Sequence, residues 1–177
     1  MKKELLVHYG VFFVFLVIAI LIQRWFYIGV WPFILGGIIG TALPNVDHLI
    51  YVYFLKPQEL NSQRVTYLNN EKNYRKSLEI LSETKYERSM AIFHSVFFQV
   101  VILVLTFYVV TSSSSLFASG IVIAFSLHLL VDQVMDIRRL STIQSWFRNI
   151  NIQMTRKNSI IYVAVMSFLL AVVVFVL

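Results

Sequence analysis

The chain has 177 residues, of which 58% are hydrophobic and only 14% charged, and its mean hydropathy is +0.74. A soluble domain carries about 25% charged residues, so this composition excludes an ordinary soluble protein and predicts one membrane domain. The net charge is +6, but the basic residues lie between apolar segments, which favours membrane lipids over nucleic acid as partners. The absence of cysteine excludes disulfides, thiolate metal ligands and a thiol nucleophile.

Five apolar segments follow one another and predict an all-α integral membrane bundle of five transmembrane helices. The first follows Lys2 and Lys3 and has no small-residue cleavage site behind it, which favours a span over a signal peptide. The second exceeds the ~20 residues that a span needs, and Pro44 predicts a bend within it, because proline lacks an N–H and clashes with the carbonyl of Gly40. The predicted spans are residues 5–22, 28–54, 89–110, 116–135 and 159–177.

Two polar segments, residues 55–88 and 137–158, carry basic residues and spaced apolar side chains. In the first, four apolar positions at helical spacing predict a cytoplasmic amphipathic helix. In the second, Trp146, Phe147 and several aliphatic residues predict a helix lying in the membrane interface. The four apolar positions of the first segment are Tyr67, Tyr74, Leu78 and Leu81.

The distribution of basic residues predicts the orientation of the bundle. With the N-terminus inside, two basic residues at the start, seven in 55–88 and five in 137–158 are cytoplasmic, which is 14 of the 15 in the chain. Only Arg24 lies outside. The positive-inside rule therefore predicts the N-terminus in the cytoplasm and the C-terminus outside.

Six ionisable residues lie near the cytoplasmic ends of four different predicted spans. Such side chains are costly in a bilayer and usually face one another, water or a ligand, and His and Asp are ligands of divalent metals. Because lysines and arginines alone gave the topology, the common depth of these residues is independent support for a metal centre, with zinc expected first and manganese or iron as alternatives. The six are His8, Asp47, His48, His94, His128 and Asp132, of which the last two have i,i+4 spacing on one helix face.

Four short motifs also occur in a recognisable order. They are His8, Leu43-Pro44-Asn45-Val46-Asp47-His48, Phe93-His94-Ser95 and His128-Leu129-Leu130-Val131-Asp132. Over roughly residues 1–136 the chain resembles the YdjM-type family of predicted metal-dependent hydrolases of prokaryotic inner membranes. The resemblance implies a hydrolase in that membrane. The chain departs from the family at Asn45, where an aspartate is usual, and at Ser89-Met90, where the family has His-Arg.

A bound divalent ion would lower the pKa of a water to about 7 and so supply a nucleophile at neutral pH. We expect His48, His94, His128, Asp132 and His8 as ligands. Asp47 would be a further ligand or the catalytic base, and the sequence leaves that choice open. The depth of the centre near the inner headgroups favours a phosphoester or lipid-like substrate.

Other interpretations of the same residues remain. Asp132 could instead pair with Arg138 or Arg139 as a structural contact, and His8 could be an interfacial histidine that reaches water. Asn45 favours a non-catalytic scaffold with a structural or degenerate metal site. Metal or proton transport is a further alternative, but the predicted outer halves of the spans are almost wholly apolar.

Overall fold

The computed structural model describes residues 2–25, 28–84 and 92–175, and within these ranges all regular secondary structure is helical, which confirms the all-α class. Residues 85–91, which hold the predicted start of the third span and Ser89-Met90, lie outside the described residues. The α-helices are α1 (Lys2–Gln23), α2 (Trp31–Ala42), α3 (Val46–Ile50), α4 (Leu60–Asn70), α5 (Tyr74–Glu83), α6 (Val96–Ser112), α7 (Leu116–Leu140) and α8 (Arg156–Phe175).

Among the residues that the structure describes, four helical segments are long and apolar enough to cross a membrane, which indicates a membrane protein. They are Leu6–Gln23, Trp31–Leu55, Leu116–Leu140 and Arg156–Val173. Helix α6 is also apolar but has only 17 residues.

The second of these segments is not a uniform α-helix. Between α2 and α3 the chain forms a 3₁₀ turn at Leu43–Asn45, and after α3 it forms a π-helical turn at Tyr51–Leu55. The 3₁₀ turn contains Pro44, whose missing N–H prevents a regular α-helical ladder there. Pro44 therefore lies in a 3₁₀ turn, as the expected partial unwinding of this segment requires.

Helices α2 and α7 form the most extensive contact in the bundle, and glycines make it possible. A Cβ atom on Gly36 would collide with the carbonyl of Phe117, and one on Gly40 would collide with the carbonyl of Ile121. From Gly36 to Gly40 on α2, the contacted residue on α7 advances from Phe117 to Ile121, so the two helices run parallel. Because glycine has no side chain, the two helix backbones can approach closely, as is common in membranes.

Helices α6 and α7 run antiparallel and meet through polar side chains. The amides of Gln99 and Gln133 donate to each other at 3.1 and 2.7 Å, and further along α6 the hydroxyl of Thr106 lies 2.9 Å from that of Ser126. The hydroxyl of Tyr162 on α8 donates to the amide oxygen of Gln99 at 2.8 Å. These contacts align the ends of α6 and α7 that hold the candidate site.

The segment expected to form one amphipathic helix over residues 55–88 forms two. Helices α4 and α5 are separated at Glu71–Asn73, where Lys72 has a left-handed backbone (φ 57°) that ends α4. Val65 and Leu81 are buried against Val52 in a small separate core. Of the four side chains predicted to form the apolar face, only Leu81 is buried; the other three are exposed.

The segment 137–158 also differs from its predicted interfacial helix. Helix α7 continues to Leu140, Ser141 adopts a left-handed backbone (φ 66°), and only a 3₁₀ turn, Gln144–Phe147, follows before α8. Trp146 and Phe147 pack into the main core between α7 and α8, because that core offers them more buried contact than the interface.

Candidate metal centre

Three histidines surround one buried carboxylate, that of Asp132 on α7. The Nε2 atoms of His94 and His128 lie 3.0 and 3.1 Å from one oxygen of Asp132, and the Nε2 of His8 lies 3.5 Å from the other. Asp132 is 1% exposed and His8 and His128 are 5% and 3% exposed, so water does not screen the group. Four of the six sequence-predicted residues therefore meet at one carboxylate.

Helix packing brings the residues of this group together. His128 and Asp132 are one turn apart on α7, as their i,i+4 spacing predicts. His8 comes from the antiparallel α1, whose position is set by Phe12, since the ring of Phe12 fills the space that a Cβ on Gly37 would need. The rings of His8 and His128 stack with centroids 3.8 Å apart.

His94 lies before α6 rather than within a helix, which corrects its predicted place five residues into a span. Helix α6 begins at Val96, because the hydroxyl of Ser95 accepts from the backbone N–H of Phe98 and caps the first turn. The preceding segment, residues 92–94, is anchored from α3 by the carboxylate of Asp47. That carboxylate accepts the backbone N–H groups of Ile92, Phe93 and His94, at 2.8, 2.8 and 3.3 Å.

Asp47 also determines which nitrogen of His94 faces the centre. The Nδ1 of His94 lies 3.0 Å from the same Asp47 oxygen that already accepts the backbone N–H groups of Phe93 and His94. The Nδ1–H of His94 therefore donates to Asp47. In a neutral imidazole this leaves the lone pair of Nε2 directed at Asp132, as in the carboxylate–histidine pairs that orient metal ligands.

A backbone carbonyl orients His128 in the same way. The Nδ1 of His128 lies 2.7 Å from the carbonyl oxygen of Thr41, which can only accept, so Nδ1 carries the proton. Thr41 is near the end of α2, just before the 3₁₀ turn that contains Pro44. The Nε2 lone pair of a neutral His128 is thus directed at the same oxygen of Asp132 as that of His94.

Two imidazole lone pairs and a carboxylate repel one another unless a cation lies between them. That positive charge can be a proton on these groups or a metal ion. Suitable ligand atoms of His8, His128 and Asp132 lie within 4.8 Å of one another and are all buried, so this group could bind a metal ion.

His48, Trp146 and Asp136 border the centre. The rings of His48 and His94 are nearly parallel, with centroids 5.5 Å apart, and His48 is partly exposed. The indole of Trp146 meets His94 edge-on at 5.4 Å and donates from Nε1 to Asp136 at 2.8 Å. Trp146 closes one side of the centre. This position depends on the packing of the 137–158 segment against the bundle, which the local sequence does not indicate.

Arg148, in the loop before α8, lies close enough to Asp47 for electrostatic interaction. Burial lowers the pKa of Arg148 below its ordinary value, while electrostatic interaction with Asp47 and Tyr51 acts in the opposite direction. Arginine stays charged in proteins at neutral pH. Arg148 therefore places a positive charge near the carboxylate that holds His94.

The chain matches no protein-family model, and no curated protein or solved structure is significantly similar to it. The family resemblance thus rests on the order and spacing of the four motifs alone.

Proposed function

We propose that this protein is a membrane-embedded, metal-dependent hydrolase whose centre is built on Asp132. The observation that supports this proposal is that His94 and His128, each with its other nitrogen bound to an acceptor, direct their remaining lone pairs at one carboxylate oxygen. Protonating both imidazoles would bury two cations against a single oxygen. A divalent ion would satisfy both lone pairs and the carboxylate at once, which favours the metal.

The proposed ligands are His8, His94, His128 and Asp132. Asp47, expected as a ligand or a catalytic base, is better suited to orient His94, because its oxygens are occupied by three backbone N–H groups and the imidazole. The carbonyl of Thr41 has the equivalent role for His128. Oriented ligands of this kind are more basic and lose less entropy when they bind a metal.

The bound ion would supply a Lewis acid that polarises a substrate oxygen and lowers the pKa of a nearby water to about 7. His48, which is partly exposed beside His94, is the proposed group that takes the proton from that water and passes it to bulk solvent. Arg148 would attract an anionic substrate such as a phosphoester towards the centre. Together these residues offer ligands, a proton acceptor and an anion-binding group for hydrolysis.

The proposed topology has five spans with the N-terminus in the cytoplasm and places the centre near the inner leaflet. The parallel α2–α7 pair and the antiparallel α6–α7 pair support alternating directions. Helix α6 has 17 residues, about 26 Å, which is the lower limit for a span. The positive-inside distribution and the family resemblance support a prokaryotic inner membrane, with lipids as partners.

The test begins with the metal content of the detergent-purified protein. About one zinc, manganese or iron ion per chain should be present in the wild type and absent from His94→Ala and Asp132→Asn. Asp136→Asn is the matched control, since the introduced amide oxygen can still accept from Trp146. Metal-loaded wild type should then hydrolyse a phosphoester, from a panel of soluble and lipid esters, and metal-depleted protein should not. A folded wild type that binds no metal after reconstitution would contradict the proposal.

A non-catalytic scaffold with a structural metal site is the second candidate, and a specific arrangement favours it. The carboxylate of Asp47 ties α3 to the segment before α6 through four contacts, so the centre joins separate parts of the chain. Asn45, which cannot act as a base, is consistent with lost turnover. Metal-dependent thermal stability without hydrolysis of any ester would favour this candidate.

A further inference from the structure

An apolar groove runs between α1, α7 and α8, outside the candidate metal centre. Its volume is about 430 Å³, within the ~300–1,000 Å³ typical of small-molecule sites. Its walls are almost wholly apolar: Val7 and Val11 of α1 face Leu130 and Val134 of α7. Among its described lining residues the charged one is Arg138, in the last turn of α7.

The length of the groove matches one leaflet of a bilayer. On α7 the lining runs from Leu127 to Arg138, which at ~1.5 Å per residue is about 16 Å. Half of a ~30 Å hydrocarbon core is about 15 Å. A single acyl chain, which extends from the headgroup to the bilayer centre, has the length and polarity that this groove accepts.

The position of Arg138 identifies the kind of headgroup. Arg138 is exposed at the end of the groove and forms no hydrogen bond or ion pair with the residues that the structure describes. It lies at the start of the basic segment 137–158, where α7 leaves the apolar region. A guanidinium there can bind a phosphate through two parallel hydrogen bonds.

We propose that this groove is a binding site for an anionic glycerophospholipid, with one acyl chain along α1 and α7 and its phosphate at Arg138. The lipid would be held as a specific ligand and not merely as part of the solvating bilayer. The groove is lined by residues that directly precede centre residues in the chain, such as Val7 before His8 and Val131 before Asp132, so an occupied groove would lie beside the proposed metal centre. The proposal does not require hydrolysis or a bound metal.

The test is native mass spectrometry of the full-length protein in a mild detergent, titrated with phosphatidylglycerol and, separately, with phosphatidylcholine. Two variants probe the two ends of the site. Arg138→Gln removes the cation, with Arg139→Gln as the matched control of equal charge. Val134→Trp fills the groove, with Val165→Trp, on an exposed face of α8 outside the groove, as its control.

We expect wild type to bind one phosphatidylglycerol more tightly than phosphatidylcholine. The dissociation constant for phosphatidylglycerol should rise about fivefold in Arg138→Gln, which corresponds to about 1 kcal/mol, and change less than twofold in Arg139→Gln. Val134→Trp should lose that lipid, and Val165→Trp should retain it. Metal content should be unchanged in Arg138→Gln. A failure of the lipid-site proposal can therefore be distinguished from a failure of the metal-centre proposal.

Two results would overturn the proposal. One is equal affinity of the wild type for the two lipids, which would mean that the headgroup is not recognised. The other is unchanged phosphatidylglycerol affinity in both Arg138→Gln and Val134→Trp, which would mean that the lipid binds elsewhere.

Discussion

Replacing Asp47 by asparagine tests whether this residue orients the metal centre without belonging to it. The carboxylate accepts four hydrogen bonds, one of them from the Nδ1–H of His94. In Asp47→Asn one oxygen becomes an NH₂ group, and the least costly orientation keeps the amide oxygen on Phe93 and His94. The NH₂ group then faces the N–H of Ile92, which is left without an acceptor.

The magnitude follows from these contacts. An unsatisfied buried N–H costs about 1–3 kcal/mol of folding stability, so the variant should still fold. The remaining hydrogen bond to Nδ1 of His94 is neutral and weaker, which frees the tautomer and the ring orientation. Loss of such an orienting contact typically lowers metal affinity about 10–100-fold, equivalent to about 1.4–2.7 kcal/mol.

The assay is competition between the protein and a chelating dye for zinc, with circular dichroism to verify helix content. Asp136→Asn is the matched control, because it makes the same chemical change on α7 while keeping an acceptor for Trp146. It should bind zinc within about threefold of wild type. If Asp47→Asn folds and binds zinc as tightly as wild type, the orienting role is refuted. Complete loss of metal from a folded variant would instead identify Asp47 as a ligand.

Three further predictions concern the bundle. Gly120→Ala should lower the free energy of unfolding by about 1–3 kcal/mol in detergent, because its Cβ would meet the carbonyl of Phe33, whereas Gly10→Ala, with nothing within 4 Å, should be neutral or slightly stabilising. Gln99→Leu should cost about 1–3 kcal/mol by stranding the amide of Gln133, and adding Gln133→Leu should recover part of that loss; a double variant less stable than either single one would contradict this pairing. Since the chain has no cysteine, single Ser82→Cys and Ser113→Cys variants can be tested with a thiol reagent added to either side of the membrane. Ser82→Cys should be labelled from the cytoplasm and Ser113→Cys from outside. Labelling of both from the same side would contradict five spans.

The fold class could be predicted because long apolar runs are a local signal that needs no partner. Helix α1, predicted from residue 5 to 22, runs from Lys2 to Gln23, and α7 starts at the predicted Leu116. The predicted break at Pro44 has the same local origin. By contrast, α6 starts at Val96 instead of residue 89, because the segment before it is held by the distant Asp47. The local sequence does not indicate this contact between Asp47 and the segment before α6.

The candidate centre could be predicted in outline from depth alone. His8 of α1 and His128 and Asp132 of α7 form a buried group that could bind a metal ion. The identity of the metal and the hydrolytic activity stay predictions. Two parts of the centre could not be predicted from sequence patterns. One is the carbonyl of Thr41, because every residue has a carbonyl. The other is Trp146, because its segment was expected to lie in the interface.

The parallel contact between α2 and α7 has a consequence for the order of membrane assembly. These helices are about 80 residues apart in the chain, so α2 lacks its packing partner until α7 has been synthesised and inserted. In the two-stage view of membrane folding, each helix is stable alone and association follows. Docking of the glycine face brings the carbonyl of Thr41 to His128 and carries Asp132 towards His8. Metal capture would therefore report completion of the bundle during biogenesis, and a chain whose α2 and α7 fail to dock would stay metal-free.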